Sequence, residues 1–114
     1  MLIHIRAGDT YDAGEHVFTL REGEGSSAVA VDLTGCAVLW KTKHRVTGTT
    51  GSSAATVVAA LLGQVSPVYS KTESAALEVG DHVAELQVTY PDTTERTFPT
   101  PDQPAITMRV TRGL

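Results

Sequence analysis

Residues Ala30 to Trp40 read AVDLTGCAVLW, and this stretch carries the strongest indication of fold in the chain. Asp32 and Thr34 can hydrogen-bond nearby backbone amides through their side chains, and Gly35 can adopt the positive φ that a tight turn needs. The stretch therefore predicts a turn at residues 32–35 that leads directly into a strand.

The strand that follows this turn is predicted to span residues 37–44. Successive side chains of a strand point to opposite faces, which assigns Val38 and Trp40 to one face and Lys41 and Lys43 to the other. We expect Val38 and Trp40 in the core and the two lysines on the wetter face.

The rest of the chain also consists of short segments of alternating apolar and polar residues, separated by turn residues. Apolar–polar alternation is clearest over residues 81–90, where Ala84, Leu86, Val88 and Tyr90 are expected to face inward. Further strands are predicted over residues 2–6, 16–20, 29–31, 55–62, 64–70, 95–98 and 106–111, with exposed loops at 22–27 and 47–53. The short apolar run at 55–62 could also form a helix, but its β-branched residues favour a strand. One short helical turn is expected near residues 71–77, with Ser70 or Thr72 as its N-cap. Many short strands with almost no helix predict an all-β sandwich of about seven to nine antiparallel strands.

Composition narrows the function classes. The chain has 114 residues, 41% apolar and 19% charged, which fits one globular domain spanning residues 1–114. Its formal charge of −4 is spread without a long run of one sign, so neither nucleic acid nor a membrane is expected as a partner. The short apolar stretch at the N-terminus predicts no signal peptide or membrane span, so synthesis in a cytoplasm is expected.

The order of motifs resembles a known family. The motifs are GDT at Gly8–Thr10, VDLTG at Val31–Gly35, GQVSPVY at Gly63–Tyr69, VGDHVAELQVTY at Val79–Tyr90 and TFP at Thr97–Pro99. Together they are similar to the immunoglobulin-like domain at the N-terminus of phage baseplate upper proteins and to related small tail-associated phage proteins. The resemblance implies an immunoglobulin-like β-sandwich and a virion structural protein.

Two departures from the family pattern refine that expectation. His82 stands where the family usually has an aromatic residue. The sequence also ends at Leu114 without the helical or fibre-like continuation of a full baseplate upper protein. A stand-alone tail, baseplate or capsid-decorating protein is therefore the expectation.

Candidate metal ligands are few. Asp9, Asp12, Glu15 and His16 lie within one short segment, GDTYDAGEH, and hard cations favour several carboxylates on one loop. The segment lacks the alternate-position acids and the glycine of an EF-hand, so a solvated acidic loop is the expected interpretation.

The histidines give no second metal candidate. His4, His16, His44 and His82 are scattered without the spacing of zinc ligands. They are expected at the surface or at an interface, and neither a metal nor a cofactor is predicted.

Nucleophilic and anion-binding candidates are equally sparse. Cys36 cannot form an internal disulfide, and a small partly apolar role at the start of a strand is expected for it rather than that of a nucleophile. Lys41, Lys43, His44 and Arg45 form the only basic cluster and could contact phosphate or a carboxylate-rich neighbour, although a solvated strand end is the simpler interpretation. No catalytic residue is predicted, and the protein is not expected to be an enzyme.

Two function classes therefore stay open. The first is a bacteriophage structural protein that binds other virion proteins in multiple symmetric copies, or as a homo-oligomer, through its loops near residues 23–27 and 48–53, its N-terminal strand and the 91–104 segment. The alternative is a cell-surface or carbohydrate-binding sandwich module. Such a module usually exposes aromatic side chains, whereas only Tyr11 is expected at this surface.

Overall fold

The computed structural model describes residues 1–23, 28–100 and 103–113. The strands are β1 (Leu2–Ala7), β2 (Phe18–Thr19), β3 (Arg21–Glu22), β4 (Val29–Ala30), β5 (Ala37–His44), β6 (Thr50–Ala59), β7 (Gln64–Pro67), β8 (Gly80–Thr89), β9 (Glu95–Phe98) and β10 (Ile106–Arg112). Within these residues, a 3-10 turn at Ala60–Leu62 and a short helix, α1 (Lys71–Ala75), interrupt the strands. The chain is an all-β, sandwich-like fold, as predicted.

The main sheet has eight strands and curls around a single set of apolar side chains. Its order is β1-β10-β8-β5-β6-β7-β2, with β9 beside the second half of β8. The strands β3 and β4 form a separate two-stranded sheet. The central position of β8 confirms the prediction from its alternating pattern, since β8 pairs with β5, β9 and β10.

The turn at residues 32–35 forms as predicted. One carboxylate oxygen of Asp32 accepts hydrogen bonds from the Thr34 amide at 3.0 Å and from the Thr34 hydroxyl at 2.6 Å. These bonds lower the pKa of the Asp32 carboxyl. Gly35 has φ +74°, which L side chains rarely adopt, so glycine suits this position.

The core is centred on the strand that follows this turn. Trp40 is 1% exposed, and its ring stacks on Phe18 with ring centroids 5.6 Å apart. The indole N–H of Trp40 donates to the Tyr69 hydroxyl at 2.7 Å, and that hydroxyl contacts the Met108 sulfur at 3.5 Å. Val38 and Trp40 are thus in the core as predicted, and Tyr69 joins them there.

The helix α1 begins with a capping box. The Ser70 hydroxyl accepts from the Glu73 amide at 3.1 Å, and the Glu73 carboxylate accepts from the Ser70 amide at 2.9 Å. This confirms Ser70 as the N-cap, because two amide donors that the helix leaves unpaired are satisfied reciprocally.

Two predicted boundaries are wrong. The exposed loop expected over residues 47–53 ends earlier, because β6 begins at Thr50 and pairs in register with Lys43. Its first side chains are small and face solvent, so no apolar alternation marked the strand. The strand expected over residues 55–62 is correct only to Ala59, after which residues 60–62 form the 3-10 turn.

Two further predicted strands are shorter than expected. The strand predicted over residues 16–20 is reduced to β2, and the strand predicted over residues 64–70 is β7, which ends at Pro67. The loop predicted at 22–27 lies between β3 and β4. Residues 24–27 of that loop lie outside the described residues, as do Pro101 and Asp102 of the 91–104 segment.

The prediction of antiparallel strands alone is also wrong, because β1 and β10 run parallel. Their register pairs Leu2 with Thr107 and Ile5 with Val110. Parallel neighbours need a long crossover rather than a hairpin. Here nearly the whole fold separates the two strands in sequence, so the chain can return in the same direction.

Replacing Trp40 by alanine tests the core. We expect Trp40→Ala to lower the free energy of unfolding by about 3–5 kcal/mol, since a buried aromatic ring and its hydrogen bond are lost. Urea denaturation followed by circular dichroism measures the change. Leu39→Ala, on the opposite face of β5, is the matched control and should change stability by less than about 1 kcal/mol. Equal effects of the two substitutions would refute the assigned facing of β5.

The buried hydroxyl of Tyr69 predicts an alkaline instability. Burial raises the pKa of Tyr69 to about 12, whereas the pKa of a tyrosine in the unfolded chain is about 10. The stability is therefore fully present below about pH 10 and falls by up to about 3 kcal/mol as the pH rises toward 12. Urea denaturation at a series of pH values measures this loss.

The control for the alkaline instability is Tyr69→Phe. This variant should be less stable at neutral pH, since Trp40 loses its acceptor, yet lose less stability than the native chain between pH 10 and 12. An unchanged pH dependence in Tyr69→Phe would contradict the assignment.

Candidate interaction surface

The outer face of the main sheet is the most extensive candidate surface. We use the term outer face for the solvent-directed side chains of four adjacent strands, β1, β10, β8 and β5. They are Leu2, His4, Arg6, Ala37, Leu39, Lys41, Lys43, Asp81, Val83, Glu85, Gln87, Thr89, Thr107, Arg109 and Thr111. All are exposed or half-exposed, so neither α1 nor another described element covers this face.

The outer face is basic although the chain is acidic overall. It carries four permanent cations, Arg6, Lys41, Lys43 and Arg109, against two carboxylates, while the chain as a whole has a formal charge of −4. The face thus has the opposite sign to the net charge of the chain, and it would attract an acidic partner.

The negative charge of Asp81 is balanced by its basic neighbours. The Arg109 guanidinium binds it in a bidentate manner, with Nε to Oδ1 at 2.8 Å and Nη2 to Oδ2 at 3.2 Å. The bond from Arg109 lowers the pKa of Asp81, and the nearby charges of Arg45 and His4 lower it further. Asp81 is therefore ionised at neutral pH and fully engaged within the face.

An open trough runs across β5, β6 and β8 on this face. Its volume is about 660 Å³, and the lining includes Lys41, Lys43, Ser52, Val83 and Glu85. Lys43 stands opposite Val83 in register, while Lys41 stands opposite Glu85. The trough thus offers two ammonium groups and an apolar floor to an incoming chain.

The basic cluster predicted at residues 41–45 is divided by strand alternation. Lys41 and Lys43 reach the outer face, whereas His44 is buried on the inner face. Arg45 extends along the sheet, and its guanidinium donates to the Thr107 hydroxyl at 3.0 Å. The sheet also places Arg6 and Arg109 on the outer face with Lys41 and Lys43, although both arginines are distant in sequence from the predicted cluster.

The prediction that the histidines lie at the surface is wrong for two of them. His44 and His82 are buried, with ring centroids 4.8 Å apart in an edge-to-face arrangement. His4 is exposed and His16 is half-buried. The sequence contained this signal, because His44 is in phase with Trp40, and His82 is in phase with Leu86.

The two buried imidazoles hold the connection into β8. His44 Nε2 donates to the Val79 carbonyl at 2.9 Å, while its Nδ1 accepts from the amides of Val46 and Thr47. His82 Nε2 donates to the Glu78 carbonyl at 2.7 Å. Carbonyl oxygens only accept, so both rings carry their proton on Nε2. Their role here is structural.

The acidic segment gives no metal site. Asp9, Asp12 and Glu15 are exposed, and the Glu15 carboxylate accepts from the Asp12 amide. His16 turns instead toward Tyr11, with ring centroids 5.4 Å apart. Across residues 1–23, 28–100 and 103–113, no three histidine, cysteine or acidic side chains come close enough to hold a metal ion.

Cys36 is half-buried at the start of β5. Burial raises the pKa of its thiol, and the charges of Asp32 and Asp92 raise it further. The thiolate that a nucleophile requires is therefore disfavoured at this position.

The aromatic side chains belong to the core or its margin. Phe18, Trp40, Tyr69 and Phe98 are buried, and Tyr90 is half-buried. Tyr11, which was expected at the surface, is also half-buried, and its hydroxyl accepts from the Arg6 amide at 2.7 Å. All six aromatic residues lie in the described part of the chain, and none is classed as exposed.

No family model matches the chain, and a search of curated proteins found no match to it. In the part of the chain that the structure describes, no helix is both long enough and apolar enough to cross a membrane.

Gly80 tests the packing of the histidine pair. A Cβ at Gly80 would lie 2.6 Å from His44 Nε2, and its φ of +126° is itself unfavourable for other residues. We expect Gly80→Ala to lower the free energy of unfolding by about 3 kcal/mol or more, since strain and overpacking add. Thermal and urea denaturation measure this loss.

Gly8→Ala is the matched control for Gly80→Ala. Gly8 has φ +94°, but its added Cβ would meet no atom within 4 Å, so this variant carries the backbone strain alone. Its loss of stability should be smaller, about 1–2 kcal/mol. Equal losses in the two variants would mean that His44 yields without cost and that the pair is not tightly held.

Proposed function

We propose that the protein is a structural, non-enzymatic component of a bacteriophage particle, associated with the tail or baseplate or decorating the capsid. It acts through repeated contacts with other virion proteins and between its own symmetric copies. The observation that carries the proposal is the outer face, which presents charged and apolar side chains together on a rigid sheet.

The motifs of the resemblance support this proposal through their places in the fold. Gly35 of the VDLTG motif turns the chain into β5, and the motif at Val79–Tyr90 forms the connection held by the histidines and then β8. These motifs therefore belong to the scaffold, which leaves the surface free to vary among proteins that share the scaffold.

The outer face suits a modest contact that is repeated many times. Exposed apolar side chains, Leu2, Leu39 and Val83, alternate with cations across adjacent strands. Such a face gives each copy some apolar burial and some charge complementarity. In a symmetric particle, avidity multiplies weak individual contacts.

The carbohydrate-binding alternative is less favoured. Sugar-binding surfaces usually present aromatic rings, whereas Trp40 and Tyr69 hydrogen-bond to one another inside the core and Tyr11 is engaged by the Arg6 amide. Binding of nucleic acid is not expected either, because Asp81 and Glu85 interrupt the cations of the outer face.

Mass spectrometry of density-purified particles from the source culture tests the proposal. We expect the protein at a fixed ratio to the major capsid protein, and the ratio distinguishes a capsid decoration in many copies from a tail component in few. Absence from otherwise intact particles would refute a virion role.

A charge-reversal variant tests the surface itself. Lys41→Glu combined with Lys43→Glu should reduce incorporation into particles about tenfold, since two cations of the trough change sign. Lys71→Glu, an exposed cation on α1, is the control and should be incorporated normally. Normal incorporation of the double variant would show that the outer face is not the contact.

A further inference from the structure

The free edge of β1 presents a short row of main-chain groups. Among the strands that the structure describes, β1 pairs only with β10, and the Thr107 amide donates to the Met1 carbonyl at 2.7 Å. This bond sets the phase of the parallel ladder, in which alternate residues of a strand bond the same neighbour. Ile3 and Ile5 therefore bond to β10, while the N–H and C=O groups of Leu2 and His4 point away from the sheet.

The row ends at Arg6, because the main-chain groups of Arg6 are hydrogen-bonded to other residues of the same chain. The Arg6 amide donates to the Tyr11 hydroxyl at 2.7 Å, and the Arg6 carbonyl accepts from the Asp9 amide at 3.1 Å. No bond of this kind involves Leu2 or His4 among the described residues. Two donors and two acceptors are thus available to an added strand.

This edge lacks three of the usual protections against strand addition. Natural edges are commonly blunted by proline, by a bulge, by shortness or by charged side chains, and of these β1 has the charge of Arg6, at the closed end of the row. β1 has six residues, contains no proline, and keeps an unbroken register with β10. At the other end of the sheet order, β2 has only two residues.

The side chains beside the edge determine which charge a partner strand must carry. His4 and Arg6 point to the outer face, and Arg109 stands opposite His4 in register. The nearest carboxylate on that face, Asp81, is held by Arg109. β1 itself contains no acidic residue and carries the cation Arg6, so a second copy of β1 would bring no carboxylate to this edge. An acidic strand is complementary to this edge.

We infer that the Leu2–His4 edge of β1 binds an extended acidic segment of a neighbouring protein by strand addition. The backbone of the added strand bonds to Leu2 and His4, and its carboxylates, at alternate positions, lie beside His4 and Arg6. The inference does not rest on the proposed particle role, since it names the chemistry of a partner that any assembly can supply.

A peptide titration tests the inference on the full chain. The probe is a short capped peptide that alternates glutamate with valine and threonine, titrated to millimolar concentration while backbone amide shifts are followed by NMR. We expect the largest shifts at the Leu2 and His4 amides. Shifts confined to the Lys41–Lys43 trough, or no shift at all, would overturn the inference.

Two variants at His4 separate edge pairing from charge. The His4 amide faces the free edge, so His4→Pro removes that donor without breaking the ladder to β10. His4→Thr removes the same imidazole but keeps the amide. We expect His4→Pro to weaken peptide binding about tenfold relative to His4→Thr. Equal affinities of the two variants would overturn strand addition.

A charge swap keeps the test decisive if His4→Pro fails to fold. Arg6→Glu should lose preference for the glutamate peptide and bind a matched lysine peptide instead, whereas Lys71→Glu should keep the native preference. Retention of the glutamate preference in Arg6→Glu would overturn the acidic assignment. Particle incorporation is measured separately, so failure of this inference and failure of the virion role give different results.

Discussion

The structure depends on finding a hydrogen-bond partner for the indole N–H of Trp40. An indole ring on the inner face of β5 contributes a large apolar surface, but an unpaired buried donor would offset part of that gain. Tyr69 supplies the acceptor from beyond the end of β7, and the contact of its hydroxyl with Met108 reaches across to β10. One polar chain thus fixes the relative positions of three strands that are far apart in sequence. Phe18 closes the ring face from β2.

Much of the fold could be predicted because the alternation of apolar and polar residues along a strand shows which face of the sheet each side chain occupies. Val38, Trp40, Leu86 and Val88 are inward as expected, since a strand with one buried face needs a period of two. The start of β6 could not be predicted in this way. Its first residues bury no apolar side chain and are ordered by backbone pairing with β5, which leaves no mark in hydropathy.

Pairing and direction were equally hidden from the sequence. Periodicity identifies a strand without naming its neighbour, so nothing in the pattern of Leu2–Ala7 indicated a parallel partner at the other end of the chain. The histidines were missed for a different reason. A polar residue type was given more weight than its phase, although His44 and His82 occupy inward positions and satisfy their Nε2 protons on main-chain carbonyls.

In the candidate surface, too, some features follow from the pattern of a single strand and others arise only when strands pair. Lys41 and Lys43 could be placed on the wetter face from alternation alone. Their association with Arg6 and Arg109 exists only because β1 and β10 join the sheet beside β8. A basic face on an acidic chain is therefore a property of topology rather than of composition.

The parallel pairing of β1 with β10 also has a consequence for folding. Leu2 and Thr107 are neighbours in space yet lie at opposite ends of the sequence, so their contact carries nearly the largest loop-closure cost that this chain can have. Hairpins such as β5–β6 and β8–β9 join residues close in sequence and can form earlier. Until β1 arrives, β10 is itself the margin of the sheet, with its inward side chains Ile106, Met108 and Val110 uncovered on one flank. The N-terminal strand therefore covers the edge of β10, and the short row of main-chain groups at Leu2 and His4 becomes the edge of the completed sheet in its place.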